Sequence, residues 1–388
     1  MATRCPACTA VSVDAFFEAA SVPVFCNVLR HDAEQARAMP RGAIRLHACP
    51  ECGLVFNAAF DPALVEYGTN YENSLHSSEV FQAFADRLAR RLVERFGLRR
   101  EVVLEVGCGR GEFLALLCRL GANEGIGFDQ SFDGVALPDA GEGTIRIERA
   151  PFPAHATGLR PALTFCRHTL EHVPEPVPFL EAMVVVAGRR HGGGIYVEVP
   201  NALYTLRDLG IWDIIYEHCA YYTASSLSRL LARVGVHVTA VYEDYGGQFL
   251  CAEGQVDGAT APAPADTPGW ASMLGAFSRH QRAKVAEWEA RLASYAARGE
   301  RVALWGAGSK GVTFLNMVPG TDEAVSVVVD LNQRKHGCYT SGTGHPIRGP
   351  EALLRDPPSV VLVMNPLYVT EIRERLARLG LSPVIEVV

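Results

Sequence analysis

The chain has 388 residues, 48% of them hydrophobic and 20% charged, with a formal net charge of −7. That length exceeds one ordinary core and predicts two or three domains of about 100 to 200 residues each. The acidic balance gives no bulk attraction to nucleic acid or anionic membrane, no apolar run approaches a spanning helix, and the N-terminus lacks a signal core, so a cytoplasmic protein with neither partner is expected.

Eleven cysteines in such a chain read as thiols and a metal site, not as a disulfide framework. Cys5-Pro6-Ala7-Cys8 and Cys49-Pro50-Glu51-Cys52 are two Cys-x-x-Cys knuckles. Together they offer four thiolates for a closed, tetrahedral, structural zinc site. His47 is then a bystander, and the ion supplies much of the folding energy of a module, 1–78, that buries little apolar area. Val22, Val24, Phe25, Val28 and Leu29, then Ile44 and Leu46, suggest short strands. Tyr67 to Glu79 reads as a polar connecting loop whose aromatic and amide groups, Tyr71 among them, are candidates to cover a cofactor. Phe81, Phe84, Leu88, Leu92 and Phe96 fall at helical spacing up to a Gly97 cap and open a central domain, 79–256.

Val102-Val103-Leu104-Glu105-Val106 runs into Gly107-Cys108-Gly109-Arg110-Gly111, and apolar residues from Phe113 resume with helical spacing. This predicts strand, tight turn and helix, with a crevice at the strand's carboxyl end. Asp129 closes the next apolar run, where a carboxylate can grip a ribose diol. The Gly-x-Gly-x-Gly spacing is not the dinucleotide pattern, and Glu105 ahead of the turn suits a cationic ligand better than a pyrophosphate. The stretch resembles the first two motifs of class I S-adenosylmethionine-dependent methyltransferases.

Further strands are expected at Leu163–Cys166 and Gly194–Val199, alternating with helices as in a doubly wound parallel sheet. His168, Glu171 and His172 follow the first of these at the ligand-binding face. Trp212 to Thr223 is dense in reactive groups: Glu217-His218 beside Tyr216, Tyr221 and Tyr222 offers a general base and hydroxyl donors for an oxyanion. Thr223 caps the next helix. A hairpin, Val238–Tyr242 with Gln248–Cys251, should finish the sheet with an antiparallel edge.

Asp257 to Gly269, rich in Pro, Ala and Gly, marks a boundary, and a third domain, 257–388, follows it. One face of a long helix runs from Trp270 to Tyr295. Val302–Trp305, the turn Gly306-Ala307-Gly308-Ser309-Lys310-Gly311 and a strand ending at Asp330 form a second strand-turn-helix-strand unit with dinucleotide spacing, which taken alone argues for a nicotinamide cofactor. Val360–Met364 and a helix from Thr370 extend this second Rossmann-like fold.

The order of zinc knuckles, methyltransferase core and Rossmann-like tail resembles the C-methyltransferases that act on nucleotide-linked keto-deoxysugars. The likeness rests on the knuckles, Glu105-x-Gly107-x-Gly109-x-Gly111, Arg167-His168-x-Leu170-Glu171-His172, Glu198-Val199-Pro200-Asn201, Glu217-His218, Gly306-Ala307-x-x-Lys310-Gly311 with Asn316, Asp330-x-Asn332-x-x-Lys335-x-Gly337, and Gly342-Thr343-x-x-Pro346-Ile347. It implies S-adenosylmethionine held by Tyr71, Glu105, Gly107, Gly109, Gly111, Phe113, Asp129, Gln130 and His168. It also implies a tail without NAD whose turn faces the substrate, with Lys310, Asn316, Asn332 and Lys335 as substrate-binding residues. The family's base would be His218, aided by Glu217, Tyr216 and Tyr222, with His168 as the fallback base. Where the family has Tyr-Asp-Glu-His, Tyr216 directly precedes Glu217. Gly246-Gly247 is followed by Gln248-Phe249 instead of Ser-Met.

Overall fold

The computed structural model describes residues 3–11, 15–134, 136–152, 158–257 and 267–388. Most of the expected boundary at 257–269 thus lies outside the described residues. Among those described, no helix is long and apolar enough to cross a membrane.

The first sheet is antiparallel: β1 (Phe17–Pro23), β2 (Arg41–Ala48) and β3 (Val55–Asn57). Its fourth strand, Ala220–Tyr221, arrives from far downstream and pairs with β3, Val55 opposite Tyr221 and Phe56 opposite Ala220. Of the strand pattern read at Val22, Val24, Phe25, Val28 and Leu29, only Val22 lies in a strand, β1. Pro23 closes β1, having no N–H to continue the ladder, and the segment makes only an isolated bridge from Val28 to Tyr71.

The central sheet comprises β4 (Val102–Val106), β5 (Glu124–Phe128), β6 (Thr144–Glu148), β7 (Leu163–Arg167), β8 (Gly194–Pro200), β10 (His237–Asp244) and β11 (Phe249–Gln255), with β9 the Ala220–Tyr221 segment. Their order is β10-β11-β8-β7-β4-β5-β6. All pairs are parallel except the expected antiparallel edge, β11 with β8 and β10. From β4 the chain builds β5 and β6 on one side, then crosses to β7 on the other, which opens a crevice beyond the carboxyl ends of β4 and β7. β6 is absent from the sequence reading because it is a short edge strand whose side chains alternate between half-buried and exposed. Helix Glu79–Phe96 ends at Gly97 in the left-handed region, as its spacing predicts, and begins on a Ser78 cap. Thr223 and Ser226 form a reciprocal capping box on helix Ala224–Arg233.

The third sheet is wholly parallel, in the order β14-β13-β12-β15-β16, from β12 (Val302–Trp305), β13 (Val325–Val329), β14 (Ile347–Arg348), β15 (Val360–Val363) and β16 (Val384–Val387). Helix Trp270–Ala297 covers one face of it and reaches the N-terminal sheet. Phe277, fully buried on that helix, meets Phe16 and Phe17 edge-on with centroids 5.9 and 6.0 Å apart. The first and last thirds of the chain therefore share one core. Phe277→Ala is expected to cost about 3–5 kcal/mol, read as a lower urea midpoint in a transition that both regions follow together.

Candidate active site

One cavity of about 700 Å³ opens beyond the carboxyl ends of β4 and β7, and both glycine turns line it. On the first turn, Gly107 has φ 72°, and a Cβ there would stand 2.1 Å from Thr169 Oγ1, so only glycine fits. Asp129 pins this turn. Its Oδ2 accepts from the Gly109 amide at 2.7 Å, while its Oδ1 accepts from the amide and hydroxyl of Ser131 at 2.7 and 2.6 Å. Glu105 is buried below the turn with Oε2 unpartnered, and burial pushes its carboxyl up to about 8 against the pull of Arg167. Phe113 lies under the Arg167 guanidinium, 3.9 Å from ring centroid to Cζ, and Tyr71, Gln130 and His168 also line the cavity. A close-approach turn, a buried carboxyl with one oxygen unpartnered, which a bound cation would draw into its charged form, and an acid at the next strand end fit a cationic nucleoside such as S-adenosylmethionine.

The loop over this turn is fastened on three sides. Glu72 accepts from Asn332 Nδ2 at 3.0 Å and pairs with Arg334 at 2.6 Å, and Arg110 of the turn lies 3.8 Å from it. Asp133 pairs with both Arg110 and Arg334. Asn332, expected at the substrate, is thus a clasp between loop and tail and does not line the cavity. Asn316 does not line it either. The Asn316 amide faces the Gly342 turn and donates to the carbonyls of Val312 and Ser341, 2.9 Å each. Lys310 and Lys335 do line the cavity: Lys310 is ion-paired with Asp213, and Lys335 Nζ donates to Asn27 Oδ1 at 3.2 Å and to the Ala307 carbonyl at 3.0 Å. Asp330 repeats the device of Asp129, accepting from Ala307 N and Asn332 N at 2.8 Å each.

His218 lines the cavity with Nδ1 unpartnered. Burial drives its ring well below the usual imidazole range, the charges of His172 and His168 add to this, and a hydrogen bond to the Asp213 backbone opposes it. It is therefore neutral at physiological pH. Its ring neighbour is His172, at 4.9 Å between centroids, whose Nδ1 lies 2.9 Å from both the Tyr67 hydroxyl and the Glu217 carbonyl. The residues expected around the base are elsewhere. Glu217 turns its carboxylate behind the wall to the Cys26 amide, at 2.8 Å. Tyr216 stacks on Phe60 and exchanges hydrogen bonds with the Asp61 backbone. Tyr221 points its hydroxyl at the Ile215 carbonyl, and Tyr222 is buried in the core beside Cys5 and Cys52. None of these three tyrosines lines the cavity: Tyr216 and Tyr221 are packed into the core shared with the N-terminal sheet, and Tyr222, the next residue on from β9, into the core of the central sheet. The tyrosines that do line it are Tyr67 and Tyr71, from the polar loop, and Tyr245 and Tyr368, whose hydroxyls pair with each other.

His168 stands at the end of β7 with φ 49°. Its Nε2 lies 3.0 Å from Glu198 and its Nδ1 3.7 Å from Glu171. Burial would lower its pKa, but the two carboxylates win and raise it to about 9, so it is an imidazolium and unsuited to be a base. Donor atoms of Glu171, His172 and His218 lie within 4.8 Å of one another, and the cation at hand for that carboxylate is His168.

Far from the cavity, Cys5 Sγ lies 3.6 Å from Cys52 and Cys8 Sγ 3.4 Å from Cys49, one cluster of four. The Cys52 thiol pulls Cys5 down to about 5, and burial pushes Cys8 up to about 11. Four sulfurs in mutual contact suit a tetrahedral thiolate site. His47 packs beside Phe56 and is not in the cluster. The cluster shares its core with β3, Tyr222 and the central sheet.

Asp129→Ala is expected to weaken S-adenosylmethionine binding by about 1.5–3 kcal/mol in calorimetry, by loss of charge-assisted hydrogen bonds, whereas Asp330→Ala should leave it nearly unchanged. The four-cysteine cluster is expected to hold about one zinc per chain by atomic emission, and Cys49→Ser to lose it and to lower the melting temperature. Through β3 and β9 the substitution should depress turnover more than cofactor affinity.

The methyltransferase-domain profile matches residues 81–241, and the C-methyltransferase C-terminal-domain profile matches 271–381. The chain is 30% identical over 156 residues to the ubiquinone biosynthesis O-methyltransferase of Cupriavidus pinatubonensis (strain JMP 134 / LMG 1197), covering 36% of this chain and 61% of that protein. Among solved structures, magnesium protoporphyrin IX methyltransferase of Synechocystis PCC 6803 with bound SAH superposes with a TM-score of 0.33 at 16% identity, over 46% of this chain and 84% of that one. The Burkholderia thailandensis 1,6-didemethyltoxoflavin-N1-methyltransferase, with 1,6-didemethyltoxoflavin and S-adenosylhomocysteine bound, gives 0.35 at 19%, over 47% and 82%. The chain therefore carries a class I methyltransferase domain followed by a C-methyltransferase C-terminal domain.

Proposed function

We propose that the protein transfers a methyl group from S-adenosylmethionine to a carbon atom next to a carbonyl in a small molecule, a nucleotide-linked keto-deoxysugar being the substrate class favoured. The observation that carries the reading is the shared cavity: the cofactor turn lines it from one side, the tail's glycine turn from the other, and a neutral histidine stands in its wall. A methyl acceptor on saturated carbon must first lose a proton, which is acidic enough only beside a carbonyl. His218 supplies the lone pair for that proton. The bound cofactor supplies an electrophilic methyl group, held by the turn of Gly107, Gly109 and Gly111, with Glu105 and Asp129 answering its charge and its ribose. Lys310, Lys335 and the first amides of helix Ser309–Met317 offer positive charge for a phosphorylated handle. Lys310 is tied through Asp213 to the loop carrying His218, so a handle bound at the tail would bear on the base. We divide the chain into a zinc-binding module, 1–78, the methyltransferase domain, 79–256, and a substrate-binding domain, 257–388, the module borrowing one strand from its neighbour.

With a panel of nucleotide-linked keto sugars in deuterated water, the wild type should exchange the α-proton and yield a product methylated on carbon by mass and NMR analysis. His218→Asn should lose both exchange and methylation while binding cofactor normally. A methyl group found on oxygen or nitrogen, or near-normal turnover by His218→Asn, would overturn the reading.

A further inference from the structure

The tyrosines that the sequence offers as oxyanion donors all point away from the cavity, and the two from the polar loop that line it are engaged, Tyr67 with His172 and Tyr71 with Glu217, so deprotonation at His218 leaves the substrate carbonyl in need of another donor. We propose that His168 is that donor: a catalytic imidazolium that hydrogen-bonds the substrate oxygen as it becomes an enolate. The inference rests on the α-proton reading above and assigns its second catalytic group.

The geometry is particular. His168 is the first residue past β7, at the strand end that opens into the cavity, and its left-handed backbone is one that a residue with a Cβ rarely adopts. Its amide donates to the Glu198 carbonyl at 2.9 Å and its ring meets Phe249 edge-on at 4.4 Å, so the ring is held on both sides. Nε2 faces Glu198 on β8 at 3.0 Å. Nδ1 is 3.7 Å from Glu171 on the following turn, too far for a hydrogen bond, and a quarter of the side chain remains exposed on the cavity side. The other charged or titratable groups around the ring are Arg167, which pairs with Glu198 at 2.8 Å, and the rings of His172 and His218. Two carboxylates against one guanidinium leave net negative surroundings, which hold the proton on His168. Its charge in turn helps keep His218 neutral. Two histidines in one cavity are thus pushed to opposite protonation states, the arrangement that enolisation needs.

The electrons balance. His218 takes the α-proton, and the electron pair of that C–H bond moves into the enolate, whose oxygen accepts the His168 N–H. The enolate carbon then forms its bond to the sulfonium methyl, and the pair of the broken S–CH₃ bond stays on sulfur. His168 keeps its proton throughout, and His218 returns its own to solvent.

Full-length protein with ¹⁵N-labelled histidine and bound S-adenosylhomocysteine should show one ring, absent from His168→Gln, that stays protonated to pH 8 and titrates near 9. A His168 ring neutral at pH 7.5 would refute the proposal whatever the reaction. With a keto substrate, His168→Gln should slow both α-proton exchange and methylation by about 100-fold or more, leave the cofactor Kd within about threefold, and erase the alkaline limb of the rate profile. Glu171→Gln, a milder change, should move that limb to lower pH. Unchanged exchange in His168→Gln, or a cofactor Kd that worsens in step with the rate, overturns this role alone. A wild type that methylates oxygen or nitrogen without any exchange overturns the α-proton reading along with it.

Discussion

Two residues of backbone pairing organise the active region. Ala220 and Tyr221 add a strand to β3 of the N-terminal sheet, and the chain can reach that edge only by crossing from the central domain just after His218. The crossing fixes the loop at both ends: helix Ala224–Arg233 is capped by Thr223 on one side, and Asp213 is clamped by Lys310 of the tail on the other. His218 is thereby held in the wall of the cavity by contacts that none of the three regions could provide alone. The strand is short, but it is anchored from behind by the cysteine cluster, whose members share a core with β3, Tyr222 and the central sheet. The distant thiols thus help to place the base.

Charge is the second organising constraint. Glu198, Arg167, His168 and Glu171 are packed where the central sheet opens into the cavity, and buried ions persist only when each finds a partner. Arg167 and His168 share Glu198, and Tyr196 donates to it as well, which holds that carboxyl down to about 2 despite its burial. His218 has no such company and surrenders its proton. A single wall therefore carries a fixed cation and a neutral base, with one oxygen of Glu105 below the glycine turn left without a hydrogen-bond partner.

The two Rossmann-like units use one device twice. In each, an aspartate at the end of the second strand reaches back to an amide of the glycine turn, Asp129 to Gly109 and Asp330 to Ala307. The carboxylate stiffens the turn as well as facing the crevice. The turns are then brought to one cavity by the loop carrying Glu72, which Arg110 and Arg334 grip from the two units. Gln248 and Asn365 close the seam with a reciprocal pair of amide hydrogen bonds at 3.1 and 3.0 Å.

The sequence by itself determined what depends on local pattern. Apolar periodicity, glycine spacing and caps located the strands around both turns, the helix that ends at Gly97, the antiparallel edge and the cysteine knuckles, because each of these reports backbone conformation or short-range chemistry within a few residues. It also singled out Glu105, Asp129, His168 and His218. What only the tertiary structure decided is direction. Tyr216, Tyr221 and Tyr222 lie close to His218 in the chain, yet each ring is packed into one of the two cores that flank β9 and none lines the cavity. Tyr67 and His172 were in view as sequence but gained their meaning from a fold that brings residue 67 against residue 172. Asn316 and Asn332 became a brace and a clasp because amides satisfy whichever backbone or charge lies nearest. The protonation states of the two histidines depend on Glu171, Glu198 and burial together, a sum over groups from several elements that no linear spacing encodes.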